Sequence, residues 1–324
     1  MKAAARDGAQ ATITAKTDKN LRYELANVER LRYWDTVINH DFDIADSMSP
    51  KAMAEQGLTG AASQRWNSAA ALGTPVNVSF SFVESAPASG PGATGFRSFS
   101  AAEWQTVRDL LNSTSAVTGL TFTEVAEAGA TNGQIRFGVS AQSATKGVAF
   151  MPDVSAANAA AGDVWMDVDS MLNLSPGTEG YAALLHELGH ALGLRHPRNV
   201  DAGDAWAQQL RAADDKTSFT VMSGTASADG LFRADWGVLD VVALQYLYGS
   251  KAVNGGDTVY QVGGADALAQ RTLIDSGGID TIDATASQVG VSIDLSPAHL
   301  SSVGLSGDGR APVENLGIAV GTAI

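Results

Sequence analysis

The chain contains no cysteine, so disulfides and thiolate metal ligands are excluded, and any zinc site has to be built from histidine and carboxylate. It has no run of eighteen apolar residues, so neither a membrane-spanning helix nor a membrane partner is expected. The first twenty residues, MKAAARDGAQATITAKTDKN, lack the apolar core of a secretory signal, which taken alone points to the cytoplasm. Positive charge is scarce: 21 Lys and Arg face 35 Asp and Glu, for a net charge of -14. Such a surface repels phosphate, so nucleic acid is not an expected partner, and it favours solubility and cation binding. Only 17% of residues are charged while 34 are glycine, a composition of many tight turns, as in a β-rich tail. The 324 residues are enough for a large core and are read as two unequal units.

Histidine is also scarce, and its placement is informative. Three of the five histidines fall between His186 and His196, in the stretch HELGHALGLRHP. His186 and His190 stand at i and i+4, so on a helix they share one face and offer two imidazole nitrogens to one ion. Glu187 lies between them. His196 can join only if the helix stops first, and Gly193 sits where a left-handed turn requires a residue without Cβ. Three neutral imidazoles hold zinc and leave a fourth position for water, as in a catalytic site. At about one in twenty per fixed position, a chain of this length matches HExxHxxGxxH by chance roughly once in ten thousand.

HExxHxxGxxH followed by a methionine turn is the metzincin signature. Further stretches resemble the serralysin branch of that family: GDVWMD (Gly162 to Asp167), Pro197 directly after the third histidine, TVMSG (Thr220 to Gly224), DVVALQYLYG (Asp240 to Gly249), DTVY (Asp257 to Tyr260), LIDSGGIDTIDATAS (Leu273 to Ser287) and SIDLSPAHLSSVG (Ser292 to Gly304). The resemblance covers roughly residues 66 to 324. It implies an α+β metzincin catalytic domain, with an active-site helix and a Met-turn, followed by a partial β-rich C-terminal domain. It also implies a zinc endopeptidase acting on protein or peptide substrates, with His186, His190 and His196 on zinc, Glu187 as general base and Met222 packed beneath the site without coordinating. Calcium is implied at the domain junction, with carboxylates from Asp275 and Asp280, a carbonyl from Gly277, and Asn254, Gly256 and Thr258 reaching across. Serralysins leave the cell through a channel read from a C-terminal signal, so the resemblance implies a secreted, monomeric protein despite the missing N-terminal signal.

Two departures qualify the resemblance. The glycine-rich nonapeptide that binds calcium in stacked copies never appears in full, which implies a form truncated or processed before those repeats, with a smaller calcium load. Serralysins also carry a tyrosine two residues after the Met-turn methionine, where this chain has Gly224. Two further readings stay open: a secreted calcium-dependent binding protein with an idle zinc site, which Gly224 and the missing repeats favour, and a latent protease held closed by residues 1 to about 60.

Along the chain, residues 1–65 read as a leader, 66–250 as the protease domain and 251–324 as the start of the calcium-binding domain. Residues 1 to about 20 are polar and without period. Leu21, Leu25, Val28, Leu31 and Trp34 then recur at helical spacing, and Ser49-Pro50 with Gly57 predicts a second short helix. His40 with Asp41, Asp43 and Asp46 forms an acidic loop. Val76 to Phe82 alternates as a half-buried strand, and Ser100 with Glu103 predicts a capping box opening a helix that ends near Thr118-Gly119. Strands are expected at Leu120 to Val125 and Gln134 to Val139, and KGVAFMP (Lys146 to Pro152) resembles an edge strand that an extended substrate could pair with. Tyr181, Leu184, Leu185, Leu188 and Leu192 form the buried stripe of the histidine-bearing helix, and Gly237 to Gly249 reads as the domain's closing helix.

Overall fold

Near the start of the chain, Gln10–Thr14 (β1) and Arg22–Ala26 (β2) pair antiparallel, with Thr12 opposite Glu24 and Ile13 opposite Tyr23. This corrects the helix predicted from Leu21 onward. Tyr23 and Leu25 also satisfy a period of two, and the β-branched run Thr12-Ile13-Thr14 supplies a matching ladder. The computed structural model describes residues 10–14, 22–26, 58–60, 63–128, 131–155, 158–198, 209–304, 309, 312–322 and 324. The rest of the predicted leader helix, the helix at Ser49 to Gly57 and the His40 to Asp46 cluster lie outside them.

Val76–Phe82 (β3) buries Val78, Phe80 and Phe82, as its alternation predicts. The helix Ala101–Val117 (α1) opens on the predicted box: Glu103 N donates to Ser100 Oγ, and Ser100 N donates to the Glu103 carboxylate at 2.7 Å. Leu120–Glu124 (β4), Ile135–Ser140 (β5), Gly147–Ala149 (β6) and Val164–Asp167 (β7) complete a five-stranded sheet of order β4-β3-β5-β7-β6. Neighbours in it run parallel except β6, which is antiparallel to β7 and occupies one edge. The KGVAFMP stretch therefore supplies the edge strand expected of it.

Glu179–Ala191 (α2) places Tyr181, Leu184, Leu185 and Leu188 in the main core, while His186 and His190 stay partly exposed. Val238–Tyr248 (α3) is almost wholly buried and ends at Gly249, whose φ of 86° is open to a residue without Cβ. Beyond it, Val259–Gln261 (β8), Arg271–Leu273 (β9), Thr281–Asp283 (β10), Leu300–Ser301 (β11) and Leu316–Ile318 (β12) form two small sheets, β10-β8 and β11-β12-β9. Val262, Val303 and Leu316 make a small core of their own. The arrangement is α+β, a helical and mixed-sheet body followed by a β-rich region. Arg233, 2% exposed, ties the two together: it donates to the Ser218 and Trp236 carbonyls and to the Thr272 hydroxyl at 2.7 Å. Among the described residues no helix is long and apolar enough to cross a membrane.

Candidate metal centre

The centre begins with how α2 ends. Leu194 N donates to Gly189 O at 2.8 Å and Gly193 N to His190 O at 2.9 Å, the paired bonds of a Schellman motif. Gly193 carries the left-handed turn at φ 92°, and a Cβ there would overlap the Gln64 carbonyl. The remaining helix-end carbonyls are taken from outside: Trp66 Nε1 donates to Ala191 O at 2.9 Å, and the Tyr248 hydroxyl donates to Leu192 O at 2.8 Å. Burial pushes the Tyr248 phenol above its ordinary value, so it remains a donor.

The turn swings His196 back over the helix face. His190 Nε2 and His196 Nε2 stand 3.2 Å apart, and His196 Nε2 and His186 Nε2 3.3 Å apart. A tetrahedral ion at about 2.0 to 2.1 Å from each nitrogen requires separations of about 3.3 to 3.4 Å. Two of the triad's separations match zinc, its ligand atoms all lie within 4.8 Å of one another, and it is the one group of three or more metal-competent side chains among the described residues. Two imidazoles are oriented from behind: His186 Nδ1 donates to Val221 O at 2.8 Å and His190 Nδ1 to Leu194 O at 2.9 Å. A proton held on Nδ1 leaves Nε2 with its lone pair, the tautomer a metal requires.

Met222 is fully buried, and its Sδ occupies the space that a Cβ on Gly189 would fill, against the helix turn between the two histidines. Asp240 on α3 fixes this segment, accepting from Thr220 Oγ1 at 2.5 Å and from Val221 N and Gly237 N at 2.8 Å each. Burial pushes the Asp240 carboxyl up to about 6, against the pull of the Thr220 hydroxyl and the Val221 amide. A Cβ on Gly224 meets nothing within 4 Å, so the position is open.

Glu187, 6% exposed, lies against β6. A Cβ on Gly147 would stand 2.7 Å from Glu187 Cγ and 3.2 Å from its Oε1. The carboxylate is thus seated between the edge strand and the helix that carries the histidines. Gly147→Ala should displace it and lower kcat on a peptide substrate by about 10- to 100-fold at unchanged zinc content. An unaltered kcat would show that the glycine has no part in seating Glu187.

Some of the residues expected at a calcium site are linked to one another in pairs. Asp280 Oδ1 accepts from Thr258 N at 2.8 Å, Asp275 Oδ1 from Gly277 N at 2.8 Å, and a Cβ on Gly278 would stand 2.7 Å from the Gly256 carbonyl carbon. Several groups are engaged with one another: Thr258 Oγ1 donates to Gly256 O, Asn254 Nδ2 to the Tyr260 hydroxyl, and that hydroxyl to Asp275 Oδ2 at 2.5 Å. Asp280 Oδ2 is buried without a hydrogen-bond partner, and burial with the neighbouring Asp275 and Asp257 charges holds its carboxyl above the ordinary value. Asp257, the first residue of DTVY and not one of the expected ligands, accepts from Ile279 N at 2.9 Å.

Residues 97–214 match the family model Peptidase_M10, Matrixin. The α+β fold and the histidine triad accord with that match. The chain is similar to serralysins: it is 30% identical over 272 residues to Serralysin C of Dickeya chrysanthemi, a match covering 74% of this chain and 55% of that protein. It is 30% identical over 284 residues to Metalloprotease AprA of Pseudomonas entomophila (strain L48), covering 77% and 56%, and 28% identical over 273 residues to Serralysin of Proteus mirabilis, covering 74% and 56%. The chain thus spans a little over half the length of these relatives.

Proposed function

We propose that the chain is a secreted zinc-dependent endopeptidase that hydrolyses peptide bonds in proteins. The observation that carries this reading is the convergence of three Nε2 atoms at 3.2 and 3.3 Å beside a carboxylate seated at an open sheet edge. Bound by His186, His190 and His196, zinc supplies Lewis acidity that polarises a carbonyl oxygen and acidifies water. Glu187 takes a proton from the attacking water as its oxygen bonds to the scissile carbonyl carbon. The carboxylic acid then returns that proton to the amine as the C–N bond breaks. Among the described residues strand β6 pairs with β7 alone, and its other side offers backbone groups to an extended substrate. Met222 serves as the Met-turn methionine, and Gly193 as the hinge that delivers His196.

The reading extends to calcium at the loops around Asn254, Gly256, Thr258, Asp275, Gly277 and Asp280, supported by the partnerless Asp280 Oδ2 and the carboxylates beside it, since calcium takes oxygen ligands. On this reading residues 66–250 are a protease domain and 251–324 a calcium-binding unit. The open space at Gly224 favours a second reading, a binding protein with an idle zinc site, because a missing oxyanion donor costs about 10²- to 10³-fold in rate. Casein hydrolysis by the purified chain, with metal analysis, decides between them. Activity that a chelator abolishes and added zinc restores is expected; about one zinc per chain with no turnover would establish the idle site instead.

A further inference from the structure

The end of the leader lies beside the metal centre. Gly60 N donates to Gly193 O at 3.1 Å and Arg195 N to Leu58 O at 2.8 Å, so Thr59 bridges antiparallel to Leu194. Leu58, 1% exposed, is anchored in the main core. The three residues paired here, 193 to 195, are those that carry the chain from His190 to His196. Leu194 is also the residue whose carbonyl orients His190.

The side chain between the bridge and the third ligand is Arg195, 3% exposed. Its Nε donates to Thr59 O at 3.0 Å, and one terminal nitrogen donates to His196 O at 3.2 Å. Burying a guanidinium is costly, and an apolar side chain could fill the volume. What only the planar fork supplies is a fixed angle between two acceptors, one on the leader and one on the third ligand's own backbone.

We infer that Arg195 is a positioning residue of the metal centre: by clasping the Thr59 and His196 carbonyls it sets the third imidazole against the leader segment 58–60, which is thereby part of the site's support. This rests on the zinc reading, and it assigns a role to a residue that touches neither metal nor substrate.

The test uses the full chain, with zinc affinity measured by competition with a chromophoric chelator and ligand geometry by the visible spectrum of the Co²⁺-loaded protein. Arg195→Met keeps the stem and removes the fork, and zinc affinity should fall about 10- to 100-fold with an altered Co²⁺ spectrum, as for other supports of metal ligands. Arg195→Lys keeps the charge with one compact donor group, and about a 10-fold loss is expected. Arg136→Met removes an arginine held instead by Glu127 and Asp163, and it should leave affinity within about twofold of the starting chain. Arg195→Met within that same range overturns the inference, as does an equal loss in Arg136→Met. If Arg195→Met does not fold, Arg195→Lys decides on the same criterion. A starting chain that binds no zinc overturns the zinc reading itself, a result separate from any difference between variants.

Discussion

Glu187→Gln should lower kcat/KM on casein or a peptide substrate by about 10²- to 10⁴-fold while zinc stays near one per chain. The substitution keeps the size of the side chain, so Gly147 and β6 need not move, and the three imidazoles are untouched. It removes the carboxylate seated against the edge strand, and an amide can neither take the proton from water nor return it to the leaving amine. The loss should fall on kcat and kcat/KM alike, because the proton transfer belongs to the transition state and not to substrate binding. If Glu187→Gln turned over as fast as the unaltered chain, the general base would have to lie elsewhere. A loss of zinc in parallel would instead make the carboxylate a structural support.

The second large effect is on stability. Asp240→Ala leaves the Val221 and Gly237 amides and the Thr220 hydroxyl without their acceptor, and at about 1 kcal/mol each near pH 5 the loss is about 3 kcal/mol, measurable by urea unfolding. The sign of its pH dependence is fixed by the pKa. Folding raises the Asp240 pKa to about 6, so the native state holds the proton more tightly than the unfolded chain. The stability from that difference is complete below the ordinary carboxylate pKa, about 4, and is lost as pH rises through 6. The penalty of Asp240→Ala is therefore larger at pH 5 than at pH 7.5. An equal penalty at both values would mean that Asp240 titrates normally. Because Val221 O is the acceptor for His186, the variant should also bind zinc more weakly.

Much of the centre is legible in the sequence because its spacing is local. The i, i+4 histidines, the glycine at 193 and the capping box at Ser100 each depend on a few neighbouring residues, and each is found where the pattern puts it. The sheet is legible where apolar alternation is strong, as in Val76–Phe82, and so is the edge position of β6. Arg22–Ala26 is a strand where spacing predicts a helix, because a leucine every four residues also satisfies a period of two and its strand partner, QATIT, carries no period of its own. The parts played by Arg195, Asp240 and Asp257 are not legible in the sequence for a different reason. Their roles depend on Thr59, Val221 and Ile279, partners at sequence distances that no local pattern encodes. The open space at Gly224 was legible only as a departure from a resemblance.

The clamp on the end of α2 also bears on when the site comes into being. Trp66 reaches Ala191 across 125 positions, Arg195 reaches Thr59 across 136, and Tyr248 reaches Leu192 across 56. Contacts so distant along the chain close large loops before they return any stabilisation, and topologies dominated by them fold slowly. The HELGH helix and the two bonds that close its end are local, but the Tyr248 bond to Leu192 O forms only after α3 has docked. The full clamp on the third histidine is therefore complete only once residues well beyond the histidine motif in the sequence have been made and docked.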